Sequence, residues 1–220
     1  YAAKDARDFA SALERAAVGL LGKERVEVRL LASGSKEAPT RANLEKAFAS
    51  LRSARPADVV VVYLAGHGVG LPGGEYAYLT SEARSGSPEA LADPEIRKRQ
   101  AVTSGELTAW FKASPALKQV MILDTCAAGA AAKKLMEHRQ VAADQVRALA
   151  RLRDRTGFHV LMGCAADRVS YEATRFAQGL LTYSLLMGMK GAALREGEYV
   201  DVAPLFQFAA DQVPALARDI

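Results

Sequence analysis

Two cysteines among 220 residues, Cys126 and Cys164, are too few for a disulfide framework, and a chain of this length does not need one. A reducing, cytoplasmic compartment is therefore expected. No stretch approaches the ~18 consecutive apolar residues of a membrane span, and no basic-then-apolar secretory signal opens the chain, so no membrane association is expected. There is no CxxC or HxxxH spacing to suggest a metal site, and no internal repeat, low-complexity tract or domain linker. An initial methionine is also lacking. The first residue is Tyr1, and YAAKDARDFASALERAA already has helical periodicity, so the sequence reads as a fragment with something upstream.

The charge excess is modest, at +4. It is concentrated between Lys133 and Arg155, where seven Lys or Arg face three acids and no aromatic residue. Nucleic-acid surfaces interleave cations with aromatics, so this segment reads as a solvated loop or helix face and no nucleic-acid partner is expected.

What is present is ordinary globular material, 50% hydrophobic, in a length suited to one large core. Ala6, Phe9, Leu13, Ala16 and Ala17 share one face of a helix over residues 3–18, and VEVRLL at 26–31 predicts a first strand. Thr40 is placed to cap a helix carrying Leu44, Ala47, Phe48 and Leu51 inward. The run Val59 to Tyr63 predicts a central strand buried on both faces. EYAYL predicts a short strand, residues 81–100 an exposed polar stretch, and 104–113 a helix with Leu107, Trp110 and Phe111 inward. KQVMILD at 118–124 and FHVLMGC at 158–164 read as two more buried strands, and the tail as helices near 179–190 and 203–217. This helix and strand alternation implies parallel strands joined by right-handed crossovers: an α/β fold, a helix-sheet-helix sandwich with a mostly parallel central sheet.

Open parallel sheets bind ligands beyond the carboxyl ends of their strands. Three such ends carry chemistry: AGHG with His67, LDTCAAG with Asp124 and Cys126, and MGCAAD with Cys164 and Asp167. A thiol nucleophile needs a base, and the histidines are His67, His138 and His159. His159 starts its strand, at the opposite edge, and His138 lies in the basic segment. His67, between Gly66 and Gly68, leaves room for close approach and is the best base. Cys126 is the better nucleophile, because AAGAAAKKL after it is suited to begin a helix whose amino terminus lowers a thiol pKa. Cys164 reads as a small buried hydrophobe; a disulfide or metal site joining the two cysteines stays open as a minor alternative. Gly68, Gly70 and Gly73 also fit a dinucleotide-binding GxGxxG, but Pro72 and the alternation in EYAYL argue against the helix that must follow.

YLAGHG at 63–68 and ILDTCAAG at 122–129 resemble the His-Gly and Asp-x-Cys-x-x-Gly boxes of the caspases, metacaspases and bacterial caspase-like peptidases. His67 precedes Cys126 by 59 residues, close to the spacing of about 50 known in caspases. DARDFASAL, TRANLEKAF and QGLLTYSLL resemble further helices of the family, so the likeness spans nearly the whole chain, 1–220, as one domain. It implies a large-subunit-like part at 1–132, a basic linker at 133–156 and a small-subunit-like part at 157–220. It also implies that the first central strand is missing from this chain and is supplied by an upstream segment or a separate polypeptide.

By this resemblance Cys126 attacks the scissile carbonyl and His67 protonates the leaving amine, with the N–H groups of Gly68 and Cys126 as oxyanion hole. Metacaspases carry Asp two before the nucleophile and cleave after Arg or Lys, where caspases specific for aspartate carry Gln; this chain has Asp124. Asp167 resembles a second acidic residue of the substrate pocket. The implied partner is a protein or peptide with a basic residue at the cleavage site, with self-processing inside 133–155. No cofactor and no metal are expected. Thr125, Ala127 and Ala128 depart from the metacaspase pattern and leave calcium activation open. The other readings are a catalytically silent caspase-like domain used for interaction, and a different hydrolase or a nucleotide-binding α/β domain.

Overall fold

The computed structural model describes residues 1–72, 75–125, 158–162, 172–173, 178–194 and 199–218. The chain divides into two compact units, one formed by Ala38–Val169 and the other by Tyr1–Glu37 with Ser170–Ile220.

In the Ala38–Val169 unit, three strands form a parallel sheet: β1 (Val59–Gly66), β5 (Lys118–Thr125) and β6 (Phe158–Met162), in the order β1-β5-β6. β5 is the central strand, and every residue after Lys118 is buried, as the unbroken VMIL run dictates for a strand flanked on both edges. β1 departs from the expectation of a central strand buried on both faces. Only Val60 and Leu64 are buried, while Val61, Val62 and Tyr63 are half-buried. Among the described residues β1 pairs with β5 alone and stands at the sheet's edge, so one flank of its apolar run is uncovered.

A second, antiparallel sheet follows, with β2 (Gly68–Gly70), β3 (Tyr76–Leu79) and β4 (Ala101–Thr103) in the order β2-β3-β4. The element after the glycines is thus a strand, which removes the helix that dinucleotide binding requires. The stretch 81–100, expected to be exposed and polar, instead holds two short helices, α3 (Pro88–Ala92) and α4 (Pro94–Gln100). Ser87 and Asp93 cap them by accepting backbone N–H bonds from Ala90 at 3.1 Å and Glu95 at 2.8 Å. Their function is to bring Leu91, fully buried, onto Leu71, Ala77 and Ala101.

Helix α2 (Arg41–Ser50) starts at Thr40, whose hydroxyl accepts from Asn43 N–H at 3.2 Å, and buries Leu44 and Phe48. Helix α5 (Ser104–Lys112) opens on a capping box between Thr103 and Glu106 and buries Leu107 and Phe111. Its Trp110 is half-buried, with its ring 5.4 Å from that of Phe48 and the Arg41 guanidinium 5.8 Å from its centre.

In the other unit, helix α1 (Ala2–Leu21) buries Asp5 and Phe9. Asp5 accepts the Gly179 N–H at 3.1 Å and Asp8 accepts from Gln178 at 2.9 Å, which ties the helix to the short hairpin of β7 (Glu172–Ala173) and β8 (Gln178–Gly179). Helices α6 (Leu180–Met187) and α7 (Val202–Ala217) complete it. The strand expected at 26–31 is not formed. A strand needs a ladder partner as well as β-forming residues, and among the described residues 26–31 has none; it runs into a turn where Ala32 N–H donates to the Glu37 carbonyl at 3.0 Å. No described helix is long and apolar enough to cross a membrane. The basic segment 133–156, with His138, lies outside the described residues.

Candidate active site

The parallel register aligns the carboxyl ends of the sheet. Ala65 pairs with Asp124, Gly66 with Thr125, and Leu123 with Met162. His67 follows Gly66 directly in the chain, and Cys126 follows Thr125. Cys126 itself, with Cys164 and Asp167, lies outside the described residues. His159 pairs with Val120 at the amino end of β6, at the opposite edge.

His67 is exposed and its backbone is held from β3: Leu79 N–H donates to the His67 carbonyl at 3.0 Å. That bond also fixes the phase of the hairpin ladder. With Gly68 opposite Tyr78, a bond from Leu79 to His67 makes Gly68 and Tyr78 a non-hydrogen-bonded pair, so the Gly68 N–H points away from β3. Gly66 has φ 143°, a conformation that side-chain-bearing residues rarely adopt, and this turns the chain out of β1 into β2 at His67.

Asp124 is buried, 7% exposed, and Thr125 is completely buried. The Thr125 hydroxyl lies 2.6 Å from the phenol of Tyr76, within hydrogen-bond reach. Tyr78 donates its hydroxyl to the Ala65 carbonyl at 3.0 Å, and burial pushes that phenol up to about 12, so it stays a proton donor across ordinary pH. These two tyrosines were not singled out from the sequence. The signal is the alternation of EYAYL, which puts positions 76 and 78 on one face of β3.

Among the described residues no three His, Cys, Asp or Glu side chains gather into a metal-binding group. No curated protein matches the chain. The family model described as the Caspase domain matches residues 1–217. With that match over nearly the whole chain, and with an α/β unit built on a parallel sheet, the protein belongs to the caspase domain family of cysteine peptidases.

Proposed function

We propose that this chain is an endopeptidase that cleaves proteins after Arg or Lys with His67 and Cys126 as its catalytic pair. The observation that carries the reading is the pairing of Gly66 with Thr125, because it starts both residues from adjacent positions on one sheet edge. Cys126 attacks the scissile carbonyl as thiolate, forming a C–S bond and a tetrahedral oxyanion. The N–H groups of Gly68 and Cys126 hold that oxyanion; the Gly68 N–H is left outside the β2–β3 ladder, and one such donor is typically worth ~3 kcal/mol of barrier. His67 gives its proton to the departing amine as the C–N bond breaks, leaving a thioester. It then takes a proton from water, whose oxygen attacks the thioester and releases the thiolate.

Specificity rests on Asp124. Thr125 faces Tyr76 and successive strand residues face opposite ways, so Asp124 faces the other direction, the side a thiol two positions on takes if the chain continues extended. A carboxylate buried there pairs with an arriving Arg or Lys, and while the pocket is empty it disfavours the neighbouring thiolate. Asp167 serves as a second acid of the same pocket. The seven cations between Lys133 and Arg155 offer sites for self-processing of the same specificity. The flank of β1 not paired with β5 is where an upstream segment or separate polypeptide adds the family's first strand.

The test is a fluorogenic peptide panel with Arg, Lys or Asp before the scissile bond, run with and without calcium on the chain and on Asp124→Ala. Cleavage after Arg or Lys that falls on Asp124→Ala is expected. Cleavage after Asp overturns the acidic pocket, and no turnover of any peptide overturns the peptidase reading in favour of a silent interaction domain.

A further inference from the structure

Strand β3 touches both halves of the catalytic pair's support and has no chemistry of its own. Four of its contacts reach that support. Leu79 N–H donates to the carbonyl of His67 at 3.0 Å, and Tyr78 stands opposite Gly68 in the hairpin. The Tyr78 hydroxyl donates to the carbonyl of Ala65, two residues before His67, at 3.0 Å. The Tyr76 hydroxyl meets Thr125, the residue before Cys126, at 2.6 Å. Tyr76 and Thr125 are both completely buried and Tyr78 nearly so, so their three hydroxyls are shielded from bulk water.

From this juxtaposition we infer that β3 is a clamp on the catalytic pair: Tyr76, through Thr125, and Tyr78, through Ala65, are positioning residues that hold the ends of β5 and β1 at one fixed separation. The inference rests on the peptidase reading and deepens it. Among the described residues a backbone ladder fixes β1 against β5 as far as Gly66 and Thr125. Thr125 is the last described residue of β5 before Cys126 in the chain, and its hydroxyl is held at its far end by the Tyr76 phenol. Two residues of one strand thus hold Thr125 and Ala65, one position before Cys126 and two before His67 in the chain, and misplacement of a nucleophile by about 1 Å costs up to about a hundredfold in rate.

The experiment compares Tyr76→Phe, Thr125→Val, Thr125→Ser and the double variant Tyr76→Phe/Thr125→Val in the full chain. Three quantities are read: unfolding in urea, kcat and KM on an Arg peptide, and the pH midpoint of Cys126 alkylation by iodoacetamide, resolved from Cys164 by peptide mass mapping. Each single deletion removes the Tyr76–Thr125 bond and lowers stability, and because the two hydroxyls interact the double variant loses less than the sum of the two single losses. The clamp predicts that kcat nevertheless stays about tenfold down in the double variant with KM little changed, and that the thiol midpoint moves toward the ordinary value of about 8.5. Thr125→Ser, which keeps the hydroxyl, retains the parent kcat. A parent-like kcat in the double variant, or an unmoved midpoint, overturns the clamp. Should the parent chain turn over no peptide while Tyr76→Phe still moves the midpoint, the peptidase reading fails and the clamp stands; full turnover indifferent to loss of the Tyr76–Thr125 bond has the opposite meaning.

Discussion

Gly66 and Thr125 stand directly opposite each other as the last paired residues of β1 and β5. Each has a feature that an ordinary strand end does not require. Gly66 takes φ 143°, and Thr125 is a completely buried hydroxyl held by Tyr76. One turns the chain sharply toward His67, and the other fixes the residue from which Cys126 departs.

Gly66→Ala tests the first feature. A Cβ at this position would meet the Tyr78 hydroxyl at 3.5 Å, an ordinary contact, so there is room for it. The penalty lies in the backbone, about 1–3 kcal/mol for a side chain held at such a φ. Urea unfolding should show this loss, and peptidase activity should fall further than stability because relaxing φ moves His67. Gly70→Ala, where no neighbouring atom among the described residues lies within 4 Å of the added carbon, is the control and should change stability by less than about 0.5 kcal/mol.

Leu91→Ala tests whether the 81–100 stretch is packed structure or a solvated loop. Leu91 is fully buried against Leu71, Ala77 and Ala101, beneath the hairpin that carries Gly68 and the two tyrosines. Truncation should destabilise the protein by about 2–5 kcal/mol in chemical denaturation. A loss below about 0.5 kcal/mol would mean that the two helices do not cover that core.

Glu106 makes stability depend on acid pH. Burial pushes its carboxyl up, but the Arg41 guanidinium, the Thr103 backbone N–H and the Arg41 charge together outweigh burial and hold it below the usual range. A carboxyl lowered by folding adds stability above its unfolded value of about 4.3, and loses that contribution as pH falls from there through the lower folded value. The urea midpoint of the parent should therefore exceed that of Glu106→Gln at about pH 7, with the gap closing below about pH 4. A gap independent of pH would contradict the ion pair's role.

The edge that carries the site was legible because apolar runs such as VMIL mark buried strands and a parallel sheet must collect its strand ends on one side. Cap chemistry was legible at Thr40. It was equally present at Ser87-Pro88-Glu89 and Asp93-Pro94-Glu95, cap followed by proline at the first helical position, and the polar composition of 81–100 obscured it. VEVRLL misled because β propensity measures fitness for a pleated surface and says nothing of whether a neighbour is there to pair. β1, whose Val-rich run reads as central, is flanked by β5 alone among the described residues. Tyr76 and Tyr78 were hidden for another reason: their partners, Thr125 and the Ala65 carbonyl, are 49 and 13 residues away in the chain.

The most direct measurement of the central claim is covalent labelling with a peptidyl chloromethyl ketone ending in arginine, followed by peptide mass mapping of the parent and His67→Ala. One adduct per chain is expected, on Cys126, formed rapidly in the parent and at least about a hundredfold more slowly without His67. An adduct on Cys164, no adduct, or a rate indifferent to His67 would contradict the pairing of His67 with Cys126.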